Sequence, residues 1–262
     1  MFMTDEKKFL NKCKKEINKQ GKNKTLRSLS KKWIKESLKF NYTYHFEWLG
    51  RPIIQYPQDI LGMQQLIWSI KPDLIIETGI ARGGSVIFNA SILKLIADCG
   101  GPKNSKIVAI DIDIRKHNKE AILSHPISKY IEMIEGSSVD MKVFEKVKKR
   151  ASRAKKVIVF LDSNHSHDHV LKELYMYSQF VNTGSYLVVF DTIIEDLPNN
   201  FFPKRSWSKG NNPKTAVIEF LKKIKRKKHL DLKGKVIKFR IDNHFEKKLL
   251  ITVSPGGFLK RI

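Results

Sequence analysis

Between residues 74 and 191, short apolar runs alternate strictly with amphipathic stretches, and this alternation constrains the fold more than any other feature. The runs lie at 74–77, 107–111, 130–135, 157–162 and 186–191, and the stretches at about 84–97, 115–125, 139–154 and 166–181. The runs have strand length, and the stretches have helical periodicity. Such alternation predicts an α/β fold with a mostly parallel, doubly wound sheet. Val157-Ile158-Val159-Phe160-Leu161 is apolar at every position, as a strand covered on both faces must be. The five predicted strands end in Glu77, Asp111, Glu135, Asp162 and Asp191. In an open parallel sheet, ligands bind at the carboxyl ends of the strands, near the point where strand order reverses. Carboxylates gathered there are costly unless they meet hydroxyls, cations or metal. A purely structural core does not need them, so their placement predicts a site.

Outside this region the pattern is simpler. A polar loop at about 195–212 precedes a helix at 213–227. Two final strands are expected at 236–241 and 249–253, with the charged turn 242–248 between them, as an antiparallel hairpin closing the sheet. Upstream, residues 1–40 hold 13 Lys or Arg against four acids. Phe9, Leu10, Cys13 and Ile17 recur at helical spacing, as do Trp33, Ile34 and Leu38. Two amphipathic helices joined near Gly21 are expected, forming a basic N-terminal arm (1–45) ahead of one domain (46–262). The arm would dock on the core, on a partner subunit or on an anionic membrane surface.

An apolar fraction of 41% over 262 residues is enough for a sizeable core. No run reaches the roughly 18 apolar residues of a membrane span, and no apolar signal core opens the chain. Cys13 and Cys99 lack metal-type spacing, so a reducing, cytoplasmic setting is expected. The net charge of +24 admits a polyanion partner or a compositional bias toward Lys, Asn and Ile. The excess is mostly Lys, whereas bidentate phosphate or base contacts favour Arg, which weighs against nucleic acid.

The first strand end is Glu77-Thr78-Gly79-Ile80-Ala81-Arg82-Gly83-Gly84-Ser85. It lacks the G-x-G-x-x-G spacing of a dinucleotide fingerprint and the Gly-Lys-Ser/Thr of a P-loop. Its glycines permit a tight turn and close approach to a ligand, and the Ser85 hydroxyl is placed to cap the next helix. The form E-x-G-x-x-x-G-G-S resembles motif I of the class I methyltransferases, where the acid sits near the charged end of S-adenosylmethionine and the glycines face its amino-acid moiety. Asp111, at the second strand end, suits a pair of ribose hydroxyls; Asp113 competes for that role or caps the following helix. Gly136-Ser137-Ser138 meets an adenine edge or is an ordinary turn. The fourth strand runs into Asp162-Ser163-Asn164-His165-Ser166-His167-Asp168-His169. Asp162 and Asp191, on neighbouring strands, suit a Mg2+-type cation with oxygen ligands. His165 is a candidate general base or a helix-start histidine with a backbone partner. His167 and His169 are assigned structural or surface roles.

Across about residues 45–258 the chain resembles the cephalosporin hydroxylase and rhamnosyl O-methyltransferase family. The matching pieces are Pro57-x-Asp59 before a helix, Lys71-Pro72-Asp73 leading to Glu77-Thr78-Gly79, and Gly83-Gly84-Ser85. Further along come Asp111-Ile112-Asp113, Gly136-Ser137-Ser138, Leu161-Asp162-Ser163-x-His165 with His169, and Gly184-Ser185-Tyr186 leading to Asp191-Thr192. Trp207 and Gly210-Asn211-Asn212-Pro213 with Ala216 complete the set.

The resemblance implies a Rossmann-like class I methyltransferase fold, S-adenosylmethionine, often Mg2+ at the strand-end carboxylates, and oligomers in some members. It implies O-methyl transfer to a hydroxyl of a sugar, glycan or glycosylated small molecule. Asp162, His165 and Asp191 would be catalytic, with Asp162 and Asp191 as metal ligands. Glu77, Gly79, Gly83, Gly84, Ser85, Asp111, Ser137, Ser138 and Asp162 would line the cofactor. Phe190 stands where some relatives carry an acid, and Glu195 or Asp196 is expected to compensate. The rival readings are a nucleic-acid methyltransferase, prompted by the charge, and a non-enzymatic basic binding protein on the same fold.

Overall fold

A computed structural model describes residues 4–262. Helices α1 (Asp5–Lys22) and α2 (Lys24–Leu38) come first. Their joint is Asn23 rather than Gly21: Asn23 ends α1, and its side chain accepts from Leu26 N at 2.9 Å to cap α2. Gly21 stays helical, and a Cβ there would run into the Lys247 side chain.

A two-stranded antiparallel ribbon follows, β1 (Phe46–Trp48) and β2 (Arg51–Ile53), then α3 (Pro57–Ile70), with proline at its first turn. The alternating region comprises β3 (Leu74–Thr78), α4 (Gly84–Asp98), β4 (Lys106–Asp111), α5 (Lys116–Leu123), β5 (Ile131–Glu135), α6 (Met141–Ala151), β6 (Val157–Leu161), α7 (His167–Tyr177) and β7 (Tyr186–Val189). The chain closes with α8 (Pro213–Arg226), β8 (Phe239–Ile241), α9 (Asn243–Leu249) and β9 (Phe258–Arg261).

The sheet order is β5-β4-β3-β6-β7-β9-β8. Strands β3 to β7 are parallel, and β9 is antiparallel to both β7 and β8. Every residue of β3, β6 and β7 is buried, and the two faces of the sheet carry separate apolar cores. The chain builds outward from β3 in one direction and from β6 in the other. The switch point therefore lies between β3 and β6, and a crevice opens at their carboxyl ends.

The C-terminal expectation needs correction. Where a turn was expected at 242–248, Asn243–Leu249 form α9, capped by Asp242, which accepts from His244 N at 3.0 Å. Residues 249–253 are not a strand. Leu250 sits at φ +60, and Thr252, Val253 and Ser254 are buried without joining the sheet. They pack against the turn after β7, where Ile193 N donates to Val253 O at 3.0 Å. The sheet still ends in an antiparallel pair, β8 with β9, but through a longer connection.

Helix α1 lies along α9: Gln20 Nε2 donates to Lys247 O at 2.7 Å. Helix α2 buries Ser30 and Ile34, and Trp33 packs edge-on against Tyr42. No helix among the described residues is long and apolar enough to cross a membrane.

Candidate active site

Glu77, at the second-last position of β3, is 2% exposed. Ser85 Oγ donates to its Oε1, and Asn89 Nδ2 donates to its Oε2 at 2.6 Å. Burial outweighs these donors and pushes the carboxyl up to about 7. Ser85 therefore does not cap α4. Its hydroxyl goes to the buried acid, the stronger acceptor, and Gly83 at φ +84 is the cap residue.

Gly79, at φ +95, lies so close to β6 that a Cβ would overlap the Asp162 carbonyl. A Cβ on Gly84 would strike the Pro52 carbonyl of β2. At these two positions the close approach that demands glycine is by the protein's own backbone. Asp111 is half-buried and already engaged. Its Oδ2 accepts from Ile80 N at 2.7 Å and Ala81 N at 3.2 Å, and its Oδ1 accepts from Asp113 N at 3.2 Å. It braces the glycine-rich turn, a role its sequence position did not reveal. After β5, Ser137 is half-buried, while Ser138 is buried with its Oγ 3.0 Å from His169 Nε2.

Beyond β6 and β7, the ligand atoms of Asp162, His165 and Asp191 all lie within 4.8 Å of one another. His165 Nε2 is 3.1 Å from Asp191 Oδ2, and the ring packs edge-on to Trp207 at 5.2 Å. Helix α7 starts only at His167, so His165 belongs to the loop. Asp191 sits at φ +54, a conformation fixed by the turn behind it, where Thr192 Oγ1 donates to Pro255 O at 2.9 Å. Burial raises the Asp162 carboxyl well above its ordinary range, and the nearby Asp191, Glu77, Glu173 and Asp59 add to the rise. Asp59 is 1% exposed and, through burial, also pushed up to about 7. Among the described residues no Lys or Arg pairs with Asp162 or Asp191. A concentration of negative charge without a Lys or Arg partner fits a cation, and the two carboxylates, as hard oxygen ligands, suit Mg2+.

A small cavity of about 20 Å³ beside Glu77 is lined by Gln55, Asn89 and Asp162 among others. Gln55 Nε2 donates to Asp162 Oδ2 at 3.3 Å. The remaining amide oxygens, Gln55 Oε1 and Asn89 Oδ1, are buried without partners. Unpaired acceptors beside two carboxylates fit a ligand group that is cationic and donates hydrogen bonds. Gln55, Asn89 and Asp59 were not assigned to the site from the sequence. Asp59 had a signal in its motif, while Gln55 and Asn89 had none.

The sequence model of the rhamnosyl O-methyltransferase/CmcI family matches residues 40–262. The chain belongs to this family. A rhamnosyl O-methyltransferase of Mycobacterium bovis is 30% identical over 146 residues, 53% of this chain and 54% of the relative. One of Mycobacterium leprae is 27% identical over 168 residues, 64% of this chain and 68% of the relative. The chain thus spans about half the length of the first of these relatives. Among solved structures, a CmcI apo-structure and a CmcI Mg–SAM structure are each 16% identical, covering 84% of this chain and 77% of theirs. Their TM-scores of 0.53 and 0.51 show the class I methyltransferase fold.

Against that family the departure at Phe190 has a physical form. Its ring is 5% exposed and packs edge-on to Phe160, inside the core. Neither expected substitute replaces it. Glu195 Oε2 accepts from Gly210 N at 2.8 Å, closing the 208–212 turn, and Asp196 pairs with Lys214 at 2.9 Å. His167 bridges α7 to α8, 2.8 Å from Thr215 Oγ1 and 3.2 Å from Glu219.

Proposed function

We propose that this protein is an S-adenosylmethionine-dependent O-methyltransferase acting on a sugar hydroxyl, with Mg2+ held by Asp162 and Asp191. The observation that carries the reading is the group of carboxylates at the switch point of the sheet, Glu77 and Asp59 buried and Asp162 and Asp191 half-buried, with no Lys or Arg partner among the described residues. Family membership supports it, as do relatives named for rhamnosyl O-methylation. When bound, the cofactor supplies a methyl group on a sulfonium and the metal supplies Lewis acidity.

The protein's own groups do the rest. Glu77, Gln55 Oε1 and Asn89 Oδ1 receive the cationic end of the cofactor. The turn braced by Asp111, together with Ser137 and Ser138, faces its nucleoside. Asp162 and Asp191 orient the acceptor hydroxyl, and alignment supplies much of the rate. With Nε2–H donated to Asp191, the His165 lone pair lies on Nδ1, and that atom takes the hydroxyl proton. Asp191 then stabilises the imidazolium.

The loop aromatics support a wall rather than a nucleic-acid platform. Phe201, Phe202 and Trp207 pack edge-on against one another at 5.0 and 4.9 Å, so their faces are partly spent. The compactness of the Asp162–His165–Asp191 cluster favours one second reading, His165 as a third metal ligand.

Calorimetric titration with S-adenosylmethionine, with and without Mg2+, tests the class; no heat in either condition would reject it. Asp162→Asn should reduce turnover on a panel of rhamnosides at least about 100-fold while changing cofactor affinity far less. His165→Gln separates the two roles. Lost turnover with intact Mg2+ affinity identifies a base, and weakened Mg2+ affinity identifies a ligand.

A further inference from the structure

A larger cavity, about 340 Å³, lies away from the strand-end carboxylates, between the N-terminal helices and α9. Its volume is within the range of small-molecule sites, ~300–1,000 Å³. Basic side chains from three helices line it: Arg27 and Lys31 of α2, Lys214 of α8 and Lys247 of α9. Two acids share the lining, Asp196 and Glu246. Asp196 is spent on Lys214 at 2.9 Å, and Glu246 pairs with Arg27 at 3.5 Å. Among the described residues Lys247 Nζ reaches only the Asn18 side-chain oxygen, at 3.4 Å. Lys31 has no carboxylate partner among the described residues. Two of the lining lysines are therefore left without a carboxylate partner among the described residues. Ile34, Ile193 and Leu250 add apolar surface beside them.

Folding does not require this arrangement, because like charges around a hollow repel one another. A ligand with compact negative charge and a carbon skeleton would use all of it. One carboxylate would satisfy a single ammonium, whereas a phosphate offers up to two charges and three acceptor oxygens. The cavity also adjoins the candidate active site from behind. Ile193 follows Asp191 by two residues, and Thr252 Oγ1, in the cavity lining, donates to Asp59.

We propose that this cavity binds the phosphate group of an organic phosphate, with Lys31 and Lys247 taking its oxygens and the apolar residues taking its carbon skeleton. The site is independent of the methyl-transfer reading and stands or falls separately from it. Two sources carry the same chemistry, a soluble phosphorylated metabolite and a lipid headgroup.

The test uses two probes on the full chain at low ionic strength. Phenyl phosphate is titrated calorimetrically, and vesicles of phosphatidic acid in phosphatidylcholine are sedimented with the protein. Binding of phenyl phosphate supports a soluble ligand, and binding of vesicles alone supports a headgroup. In either case Lys31→Glu should weaken binding on the order of tenfold or more, and Lys31→Arg should restore most of it. Lys31 is exposed, so the substitution leaves the fold intact, as an unchanged melting temperature verifies. Lys103→Glu, at an exposed loop position elsewhere, makes the same change in net charge and should have little effect. Failure of both probes to bind overturns the proposal. Equal weakening by Lys103→Glu also overturns it, because the effect would then belong to overall charge and not to the cavity.

Discussion

Replacing Glu77 by glutamine should stabilise the ligand-free protein at alkaline pH while harming ligand binding. The Glu77 carboxyl ordinarily ionises near 4.5, and burial pushes it up to about 7 in the fold. Between those values the folded state holds a proton that the unfolded state has released. Stability is therefore fully present below about pH 4.5 and is lost as pH rises through about 7. The separation corresponds to about 3 kcal/mol. Glutamine has the same shape and carries no charge, so Glu77→Gln removes this loss. It also avoids a donor facing a donor. Asn89 now offers Nδ2 to Glu77 while its Oδ1 has no partner. Turning that amide over lets Oδ1 accept from the new side-chain amide. For a domain of this size, about 3 kcal/mol amounts to about 5–10 °C in melting temperature. Thermal melts of both proteins at pH 5 and pH 8 measure it. The difference should be small at pH 5 and reach that size at pH 8. S-Adenosylmethionine should bind the variant more weakly, since its cationic end loses a carboxylate. A variant that melts below the parent at pH 8, or a difference that does not grow with pH, would refute the electrostatic account of Glu77.

Gly79→Ala should cost about 3–4 kcal/mol, combining a left-handed backbone at φ +95 with overlap against the Asp162 carbonyl, and denaturant midpoints would record it. A cost under about 1 kcal/mol would mean that β3 and β6 separate easily at that point. Asp111→Ala removes the acceptor of the Ile80 and Ala81 amides, so S-adenosylhomocysteine should bind about tenfold or more weakly by calorimetry. Unaltered affinity would show that the brace on the turn does not matter to the ligand.

The sheet was legible because its strands are buried on both faces, which leaves runs such as Val157–Leu161 with no polar residue. The acids at their ends were legible for the same reason: a charge closing an apolar run stands out. The C-terminal segment was misread because its apolar residues serve other contacts: Leu249, Leu250 and Ile251 are half-buried at and after the end of α9, and Val253 is buried against the turn after β7, and burial alone does not specify strand pairing. Ser85 was misread because a helix-start serine usually serves amide groups, and only the fold shows the buried carboxylate competing for its hydroxyl. Gln55 and Asn89 carried no signal, since an isolated amide has no periodicity or spacing. Their roles exist only once β2, α3 and α4 bring them beside Glu77 and Asp162.

The electrostatics of the site run opposite to those of the chain. With 50 Lys and Arg residues against 26 acids the protein is strongly positive, yet Asp162, Asp191, Glu77 and Asp59 have no Lys or Arg partner among the described residues. Surface lysines cannot relieve them. Each lysine is hydrated and screened within a Debye length of about 8–10 Å, while the acids interact through a less polar interior. The repulsion among these acids therefore acts as a local preference for cations, which the surrounding charge does not cancel. A ligand bringing a sulfonium, an ammonium or a divalent ion would lower the carboxyl groups toward their ordinary range and release protons as it binds. The basic cavity beside α9 has the reverse preference. Between them the turn at Ile193 separates a region that favours cations from one that favours anions, so ligands of opposite charge can occupy neighbouring sites without competing.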